Sequence, residues 1–307
     1  MNYTLRQLQI FLAVSQAGSI TRAAEALHLT QPAVSIQLRN LSEQFEEPIF
    51  EVVGRKVYIT DFGRVIVQAA ERILDEAYAI SAQMHRYKGE LTGRLKISVV
   101  STGKYVMPYF LSDFLRAHPN VELQMDVTNK TAVVKSLEKN EVDFALVSLL
   151  PDGLRTQSIR LMKNKLCLVA GGAMEFEDKV HDKKIIEQLR LIYREPGSAT
   201  RFVMERFLAQ RQLRISRKLE LTSNEAVKQA VIAGLGCSIM PLIGIHNELE
   251  SGQLQIVPVR GLPLHSQWQL IWLQGKKFSP VAGYYRDYLQ REKQAIIDSR
   301  FGWYQEL

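Results

Sequence analysis

The chain has 307 residues, of which 46% are hydrophobic and 23% charged, and this composition is typical of a globular protein. Its formal net charge of +7 is compatible with nucleic acid, an anionic membrane surface or small anions as partners. No segment approaches the ~20 consecutive apolar residues of a membrane-spanning helix, and the first residues lack the pattern of a secretory signal. The two cysteines, Cys167 and Cys237, are too few for a disulfide framework, so we expect a cytoplasmic protein without a bound metal.

The N-terminal part of the chain is predicted to form three short helices. The first has an apolar stripe that begins at Leu5, and Gly18 follows its last turn as a cap. Ser19 is the predicted N-cap of a second helix at 21–27, and Thr30 is that of a third. The predicted buried stripe of the third helix comprises Val34, Leu38, Leu41 and Phe45.

A small hairpin and a long helix follow. β-branched residues flank the Gly-Arg-Lys turn within residues 48–60, which predicts two short strands. Thr60 or Asp61 then caps a helix predicted to run to about residue 87. A single apolar seam on so long a helix favours a partner helix, so we expect it to pair two chains. The seam comprises Val65, Ala69, Ile73, Ala77, Ile80 and Met84.

Beyond a linker at 88–93, predicted strands and helices alternate. This alternation predicts parallel, doubly wound α/β sheets, and the length of the region suggests two lobes between which the chain crosses twice. Strands are predicted at 95–100, 121–127, 142–149, 166–170, 191–193, 218–221, 237–240 and 268–273. Helices are predicted at 105–117, 130–139, 183–189, 200–212, 224–233 and 280–298.

Two helices joined by a tight break and followed by a wing make a winged helix-turn-helix, and here the residues resemble a known family. Residues 8–11, 18–27 and 29–35, followed by Ile49-Phe50, Ile59-Thr60 and Gly63, are similar to the LysR-type transcriptional regulators. The resemblance implies an α/β protein with an N-terminal all-α winged helix-turn-helix and a two-lobed, periplasmic-binding-protein-like effector domain. The implied domains are 1–61 for DNA binding, 62–91 for the dimerisation helix and hinge, and 92–307 for the effector, with lobe I at about 92–165 and 268–307 and lobe II at about 166–267.

The third helix is the predicted reading helix. Gln31, Ser35 and Arg39 are four residues apart and share the face opposite the apolar stripe, although the same pattern also fits an ordinary solvated surface. In the major groove, Gln can pair with adenine and Arg with guanine or phosphate. Where many relatives have Arg, this chain has Ile36 and Val52, so one or more polar contacts are lost. The candidate DNA-binding residues are Thr30, Gln31, Pro32, Ser35, Gln37, Arg39, Arg55 and Lys56.

Four polar segments of the downstream half follow strands and open helices. Helix N-termini present free N–H groups to anions, so these segments fit a ligand site between the lobes, although Ser, Thr and Asn often serve only as caps. We expect Lys104 or Arg201 to supply positive charge there. The candidate effector-binding residues are Ser101, Thr102, Lys104, Asn129, Thr131, Ser148, Ser198, Thr200, Arg201, Thr222 and Asn224.

Three further stretches, 194–201, 223–231 and 261–263 followed by Gln267-Trp268, look like the branch of the family that contains regulators of carbon-fixation operons. That resemblance implies a small anionic metabolite as effector and no cofactor. It also implies double-stranded operator DNA as a partner, a homodimer or homotetramer, and RNA polymerase as a further candidate partner.

Three alternatives compete with a ligand-responsive DNA-binding regulator. An α/β enzyme with an accessory DNA-binding module lacks support, because the sequence has no nucleophile elbow, phosphate-binding loop or zinc motif. A thiol-based redox sensor is opposed by the apolar strands around Cys167 and Cys237. An architectural DNA binder leaves the long α/β half without a purpose. We therefore predict a regulator that is not an enzyme.

Overall fold

The computed structural model describes the backbone of residues 3–54, 56–86 and 91–306, and within these the side chains of all but residues 75, 78–86, 305 and 306. Contacts within the chain divide it into a first unit, Met1–Gly93, and a second unit, Arg94–Leu307. The finer domain and lobe boundaries given above stay predictions.

The first unit contains four helices and a hairpin among its described residues. Thr4 caps the first helix in a capping box: its Oγ1 accepts from the Gln7 backbone at 3.2 Å, and Gln7 Oε1 accepts from the Thr4 backbone at 2.8 Å. Gly18, at φ +61°, ends that helix as predicted. Ser19 is the N-cap of the second helix, as predicted, although its side chain makes no capping hydrogen bond. The elements are α1 Leu5–Ala17, α2 Ile20–Ala26, α3 Gln31–Ser42, β1 Phe50–Val53, β2 Lys56–Ile59 and α4 Asp61–Arg86.

One apolar core joins α1, α2 and α3 to the first half of α4. Phe11 and Val34 are fully buried in it, and Ala70 and Leu74 of α4 complete it. Gly63 lets α4 approach the hairpin, because a Cβ at that position would lie 1.9 Å from the Ile49 carbonyl oxygen. The core thus fixes which face of α3 stays outside.

The second unit is an α/β structure whose strands meet in one seven-stranded sheet and a separate parallel pair, β7–β8. Its strands are β3 Gly93–Val100, β4 Val121–Thr128, β5 Phe144–Val147, β6 Thr156–Gly171, β7 Leu191–Arg194, β8 Lys218–Leu221, β9 Ser238–Pro241, β10 Leu254–Ile256 and β11 Leu264–Leu273. Its helices are α5 Met107–Ala117, α6 Lys130–Glu138, α7 Ile185–Gln188, α8 Ala199–Gln210, α9 Asn224–Ile232, α10 His246–Glu250, α11 Pro280–Arg300 and α12 Gly302–Glu306.

The large sheet is mixed, which corrects the predicted all-parallel arrangement. Its order is β10-β6-β11-β5-β3-β4, with β9 also paired to β6. β3 and β5 are parallel, but β11 runs antiparallel to both β5 and β6. β6 and β11 start earlier than the predicted strands at 166–170 and 268–273, because their first halves are rich in polar residues and carry no continuous apolar run. β6 carries the chain out of the first half of the sheet and β11 brings it back beside β6, so the two strands run in opposite directions.

β6 changes partners along its length. From Thr156 to Leu166 it pairs with β11, and from Leu166 to Gly171 it pairs with β9 and β10. A core around Leu168, Phe207 and Ile239 covers the second half of the strand. The two ends of β6 therefore belong to two differently packed halves, which we call lobe I and lobe II.

Candidate functional site

The exposed face of α3 is set by its buried stripe. Val34, Leu38 and Leu41 are buried, as predicted. Thr30 is the N-cap, and its Oγ1 accepts a hydrogen bond from the Ala33 backbone at 3.4 Å. The remaining candidates differ in exposure: Gln31, Pro32 and Arg39 are exposed, whereas Ser35 and Gln37 are half-buried.

Ile36 is a residue on this face that was absent from the predicted DNA-binding set. Its side chain is 47% exposed although it is β-branched and apolar. At 100° per residue it falls almost opposite the Val34, Leu38 and Leu41 stripe, so helical periodicity could have found it. An exposed apolar side chain among polar ones can meet the methyl group of thymine.

The hairpin presents further exposed side chains. Val53 pairs with Lys56 across the turn, and Lys56 and Tyr58 point outward. Arg55 lies outside the described residues. Arg64 forms an exposed ion pair with Asp61, an arrangement that contributes little energy and can exchange for a phosphate. The face of α3 and the strand β2 together expose amide, guanidinium, apolar and ammonium groups, which have the chemistry to contact base edges and phosphates.

In the second unit, the loops before α6 and α8 meet across the two lobes. Asn129 caps α6 by accepting from the Ala132 backbone at 3.0 Å, and Ser198 caps α8. Gly197, at φ +88°, allows the close approach, because a Cβ there would lie 2.7 Å from Thr131 Oγ1. Two helix N-termini therefore border one cavity.

This first cavity has a volume of about 730 Å³. Thr131, Ser198 and Arg201 of the predicted set line it, and Lys130 does so as well. Lys130 was not among the predicted residues, and its Nζ lies 5.6 Å from the centre of the Phe202 ring. A cation in the first turn of α6 was visible in the sequence, but nothing local indicated that it would border the cavity.

Arg201 is already engaged with carboxylates. Its Nε donates to Glu205 at 2.8 Å, and its Nη1 donates to Glu220 at 2.6 Å and to the Arg194 carbonyl at 2.9 Å. The hydrogen bond to Glu205, with that to Glu220, raises the pKa of the guanidinium. Its charge is thus matched within the protein, which disagrees with the expectation that it is free for a ligand.

A buried hydrogen-bonded chain crosses from lobe II to Tyr105. Arg194 binds Glu195 through two hydrogen bonds of 2.8 and 2.9 Å, and its Nη1 donates to Asn224 Oδ1 at 3.3 Å. Asn224 Nδ2 in turn donates to the Tyr105 hydroxyl at 3.5 Å. Asn224 therefore has both polar ends in use, and Ser223 rather than Thr222 caps α9.

The other predicted effector residues differ in burial and in the cavity that they border. Lys104 lines a second cavity with Tyr105 and Lys228, away from Thr131 and Ser198. Thr222 is exposed and Ser101 half-buried. The predicted residues that are buried are Thr102, Ser148, Ser198, Thr200 and Asn224.

Both thiols are buried in strands or at their ends. Burial raises the pKa of Cys167 to about 11 and that of Cys237 to about 11, so little thiolate exists near neutral pH. Cys237 Sγ lies 4.0 Å from Met174 Sδ. Among the described residues, no group of His, Cys, Asp or Glu is arranged to hold a metal, and no helix is long and apolar enough to cross a membrane.

Family models match both the N-terminal and the C-terminal part of the chain. The model of the LysR substrate binding domain matches residues 88–294, and that of the bacterial regulatory helix-turn-helix protein, lysR family, matches residues 5–64. The chain is 37% identical over 294 residues to a RuBisCO operon transcriptional regulator of Allochromatium vinosum, which covers 95% of this chain and 97% of the relative. It is 33% identical over 300 residues to the HTH-type transcriptional activator CmpR of Synechocystis sp., and the match covers 96% of this chain and 97% of that relative.

Solved structures agree in fold. The regulatory domain of CcmR from Synechocystis PCC6803 in complex with 2-PG has a TM-score of 0.63 at 28% identity, over 66% of this chain and 98% of that one. Full-length CbnR with its target DNA has a TM-score of 0.69 over 94% and 99% of the two chains, and at 19% identity it supports the fold alone.

Proposed function

The chain belongs to the LysR family of bacterial transcriptional regulators, and we propose that it reads operator DNA with α3 and binds a small anionic effector between the lobes of its second unit. Like its relatives, it is a DNA-binding regulator and not an enzyme. Members of the family respond to small molecules, so the identity and place of the effector are the open questions.

The DNA-reading proposal rests on the exposed face of α3. Gln31 offers an amide to adenine, and Arg39 offers a guanidinium to guanine or phosphate. Arg55 and Lys56 at the wing would neutralise phosphates. Pro32, Ser35 and Gln37 would set the approach of the helix to the groove, with Thr30 as its cap.

One observation carries the effector proposal: the close approach of Gly197 to Thr131, which places the N-termini of α6 and α8 beside one cavity. Helix N-termini favour anions, and Lys130 adds a cation that has no ion-pair partner among the described residues. The related regulatory domain of CcmR forms a complex with 2-PG. We therefore place a phosphorylated carboxylic acid in the first cavity, with Thr131 and Ser198 as hydrogen-bonding partners.

The buried members of the predicted set suit an enclosed ligand. Thr102, Ser148 and Thr200 do not line the first cavity, and we propose that they contact a ligand enclosed deeper between the lobes, with Asn129, Ser101 and Thr222 at its entrance. Arg201 pairs with Glu205 and Glu220, so we do not propose that it supplies the positive charge for the ligand.

The proposed targets are genes of carbon fixation, since the relatives of Allochromatium vinosum and Acidithiobacillus ferrooxidans are RuBisCO operon transcriptional regulators. We also propose a homodimer or homotetramer, because a two-headed protein fits a two-fold operator. Contact with RNA polymerase remains a prediction from the family alone.

Calorimetry with 2-phosphoglycolate tests the effector site. Thr131→Val and Thr200→Val each remove a hydroxyl at nearly constant volume, so we expect each to lose about 0.5–1.5 kcal/mol of binding free energy. Thr156→Val, at the far end of β6, is the matched control and should bind like the wild type. Undiminished affinity in Thr131→Val would place the effector outside the first cavity, and undiminished affinity in both variants would place it away from both threonines.

A further inference from the structure

A second cavity lies on another side of the second unit, beside the C-terminal helix. It has a volume of about 380 Å³, which is enough for a small metabolite. It shares no lining residue with the first cavity. Lys104 and Tyr105 come from the turn after β3, Lys228 from α9 and His246 from α10, and Arg300 ends α11.

Three cations, Lys104, Lys228 and Arg300, line this cavity together with one carboxylate, Glu248. Lys228 donates to Glu248 at 2.7 Å and lies 3.2 Å from Glu225, so its charge is matched. Burial alone would lower the pKa of Lys228, but these two hydrogen bonds outweigh it and raise that pKa. Lys104 and Arg300 have no ion-pair partner among the described residues. Two positive charges without a direct ion pair thus border one small space, and Lys104 also interacts electrostatically with Glu225.

An aromatic wall lines the same cavity as these cations. The Trp303 indole stacks on the His246 ring, with centroids 3.8 Å apart and planes 16° apart. The helix that carries Trp303 is anchored by its neighbour Tyr304, whose hydroxyl accepts from the Lys165 backbone at 2.6 Å. Tyr304 is buried, so the wall is fixed to β6 and offers a flat apolar surface to a carbon skeleton.

Both lobes contribute to the cavity. Tyr105 packs against lobe II so closely that a Cβ on Gly244 would lie 2.6 Å from its ring. The hydrogen bond from Asn224 to the Tyr105 hydroxyl, 3.5 Å long, lies at the same junction. His246 belongs to lobe II, and its Nε2 lies 3.5 Å from Glu250. A ligand that contacts Lys104 and Arg300 on one side and the His246–Trp303 stack on the other would therefore link the lobes.

We propose that this cavity is a second anion site, which takes a small phosphate- or carboxylate-bearing molecule with its charge on Lys104 and Arg300 and its skeleton on Trp303. The site is independent of the first cavity and adds a second input to the same regulator. Occupancy would favour the arrangement of the lobes in which both walls are present, since a ligand shifts a population by its differential affinity.

Tryptophan fluorescence of the full chain tests the proposal, with inorganic phosphate and 2-phosphoglycolate as the probes. Trp268 and Trp272 are buried, at 0% and 5% exposure, so a titratable change reports mainly on Trp303. We expect saturable quenching whose apparent affinity falls about tenfold in Arg300→Gln and in Lys104→Gln, because each loses a charge-assisted hydrogen bond. Arg291→Gln, which removes an exposed charge from the same helix, is the matched control. Trp303→Phe should abolish the signal and keep the heat of binding in calorimetry.

The outcomes separate this site from the first cavity. Quenching that survives Thr131→Val and weakens in Arg300→Gln supports the second site. Quenching that vanishes in Thr131→Val and persists in Arg300→Gln means that the first cavity alone binds anions, and it overturns this proposal while supporting the earlier one. Equal losses in Arg300→Gln and Arg291→Gln, or no quenching and no heat at millimolar probe, also overturn it.

Discussion

Single side chains on α3 offer two chemistries to DNA. Gln31 is exposed at the start of the helix, where its amide can bond a base edge. Gln31→Ala should cost about 1–3 kcal/mol of binding free energy on the operator and little on random DNA.

Lys56, on β2, tests a phosphate contact. Lys56→Ala should weaken binding to both DNAs, and the slope of the logarithm of the binding constant against the logarithm of the salt concentration should flatten by about 0.9 per lost phosphate contact. Mobility shifts over a salt series measure both, and equal losses on the two DNAs for Gln31→Ala would contradict base reading.

Ile36 gives the second chemistry. If its exposed side chain lies on a thymine methyl group, replacing thymine by deoxyuridine in the bound half-site should weaken binding at one position. The same replacement should have no effect on Ile36→Ala, because the contact is already gone. DNA selected from a random pool by the protein itself supplies the sites. Equal sensitivity of wild type and variant to deoxyuridine would exclude the contact.

The thiols provide a test of the redox alternative. With pKa values of about 11 for Cys167 and Cys237, alkylation at pH 8 should be slow in the folded protein and rise with pH. Because both pKa values are raised, the stability that the neutral thiols retain is present below the unfolded pKa and is lost as pH rises towards 11. Peroxide should leave operator binding unchanged. Rapid labelling at pH 7, or oxidant-dependent binding, would revive the redox sensor.

At the scale of elements, α4 has two apolar faces. Ala70 and Leu74 enter the core of the first unit, whereas Val65 and Ile73 of the predicted seam are 58% and 41% exposed. Ala69 and Ala77 are half-buried, and the side chains of Ile80 and Met84 are outside those that the structure describes. This exposed apolar face supports the prediction that α4 pairs with the same helix of a second copy of the chain.

Ile73→Asp tests the seam. A charge in a paired apolar face is costly, so the variant should dissociate at concentrations where the wild type is a dimer, and its operator affinity should fall. Arg72→Asp adds the same acid at the neighbouring position and should remain paired. Sedimentation measures both, and a wild type that is monomeric at micromolar concentration would contradict the prediction.

At the scale of the whole molecule, the effector must act through two states of the assembly. Coupling between two sites is typically worth about 1–3 kcal/mol. We expect 2-phosphoglycolate to change the DNase footprint on the operator and to be recovered chemically unaltered. Thr200→Val should shift this response to higher ligand concentration while binding DNA normally without ligand. A footprint that is insensitive to every bound anion would separate ligand binding from DNA control.

Local sequence patterns determined much of this protein. The stripe Val34, Leu38 and Leu41, the glycine at the end of α1 and the caps Thr30 and Asn129 all follow from neighbours within one helical turn. Such interactions need no tertiary partner, so spacing alone predicts them. The family resemblance added the two-domain organisation and the function of a regulator.

Tertiary structure decided which charges are free and which strands are antiparallel. Arg201 is matched by Glu220, nineteen residues away, and Lys104 borders a cavity with Arg300 instead of the one with Ser198. β11 pairs with β6 across about a hundred residues of chain, as Ser266 with Asn164. Periodicity reports the buried face of an element, but it carries no information on what lies opposite. The chemistry of a cleft depends on residues that only the folded chain brings together.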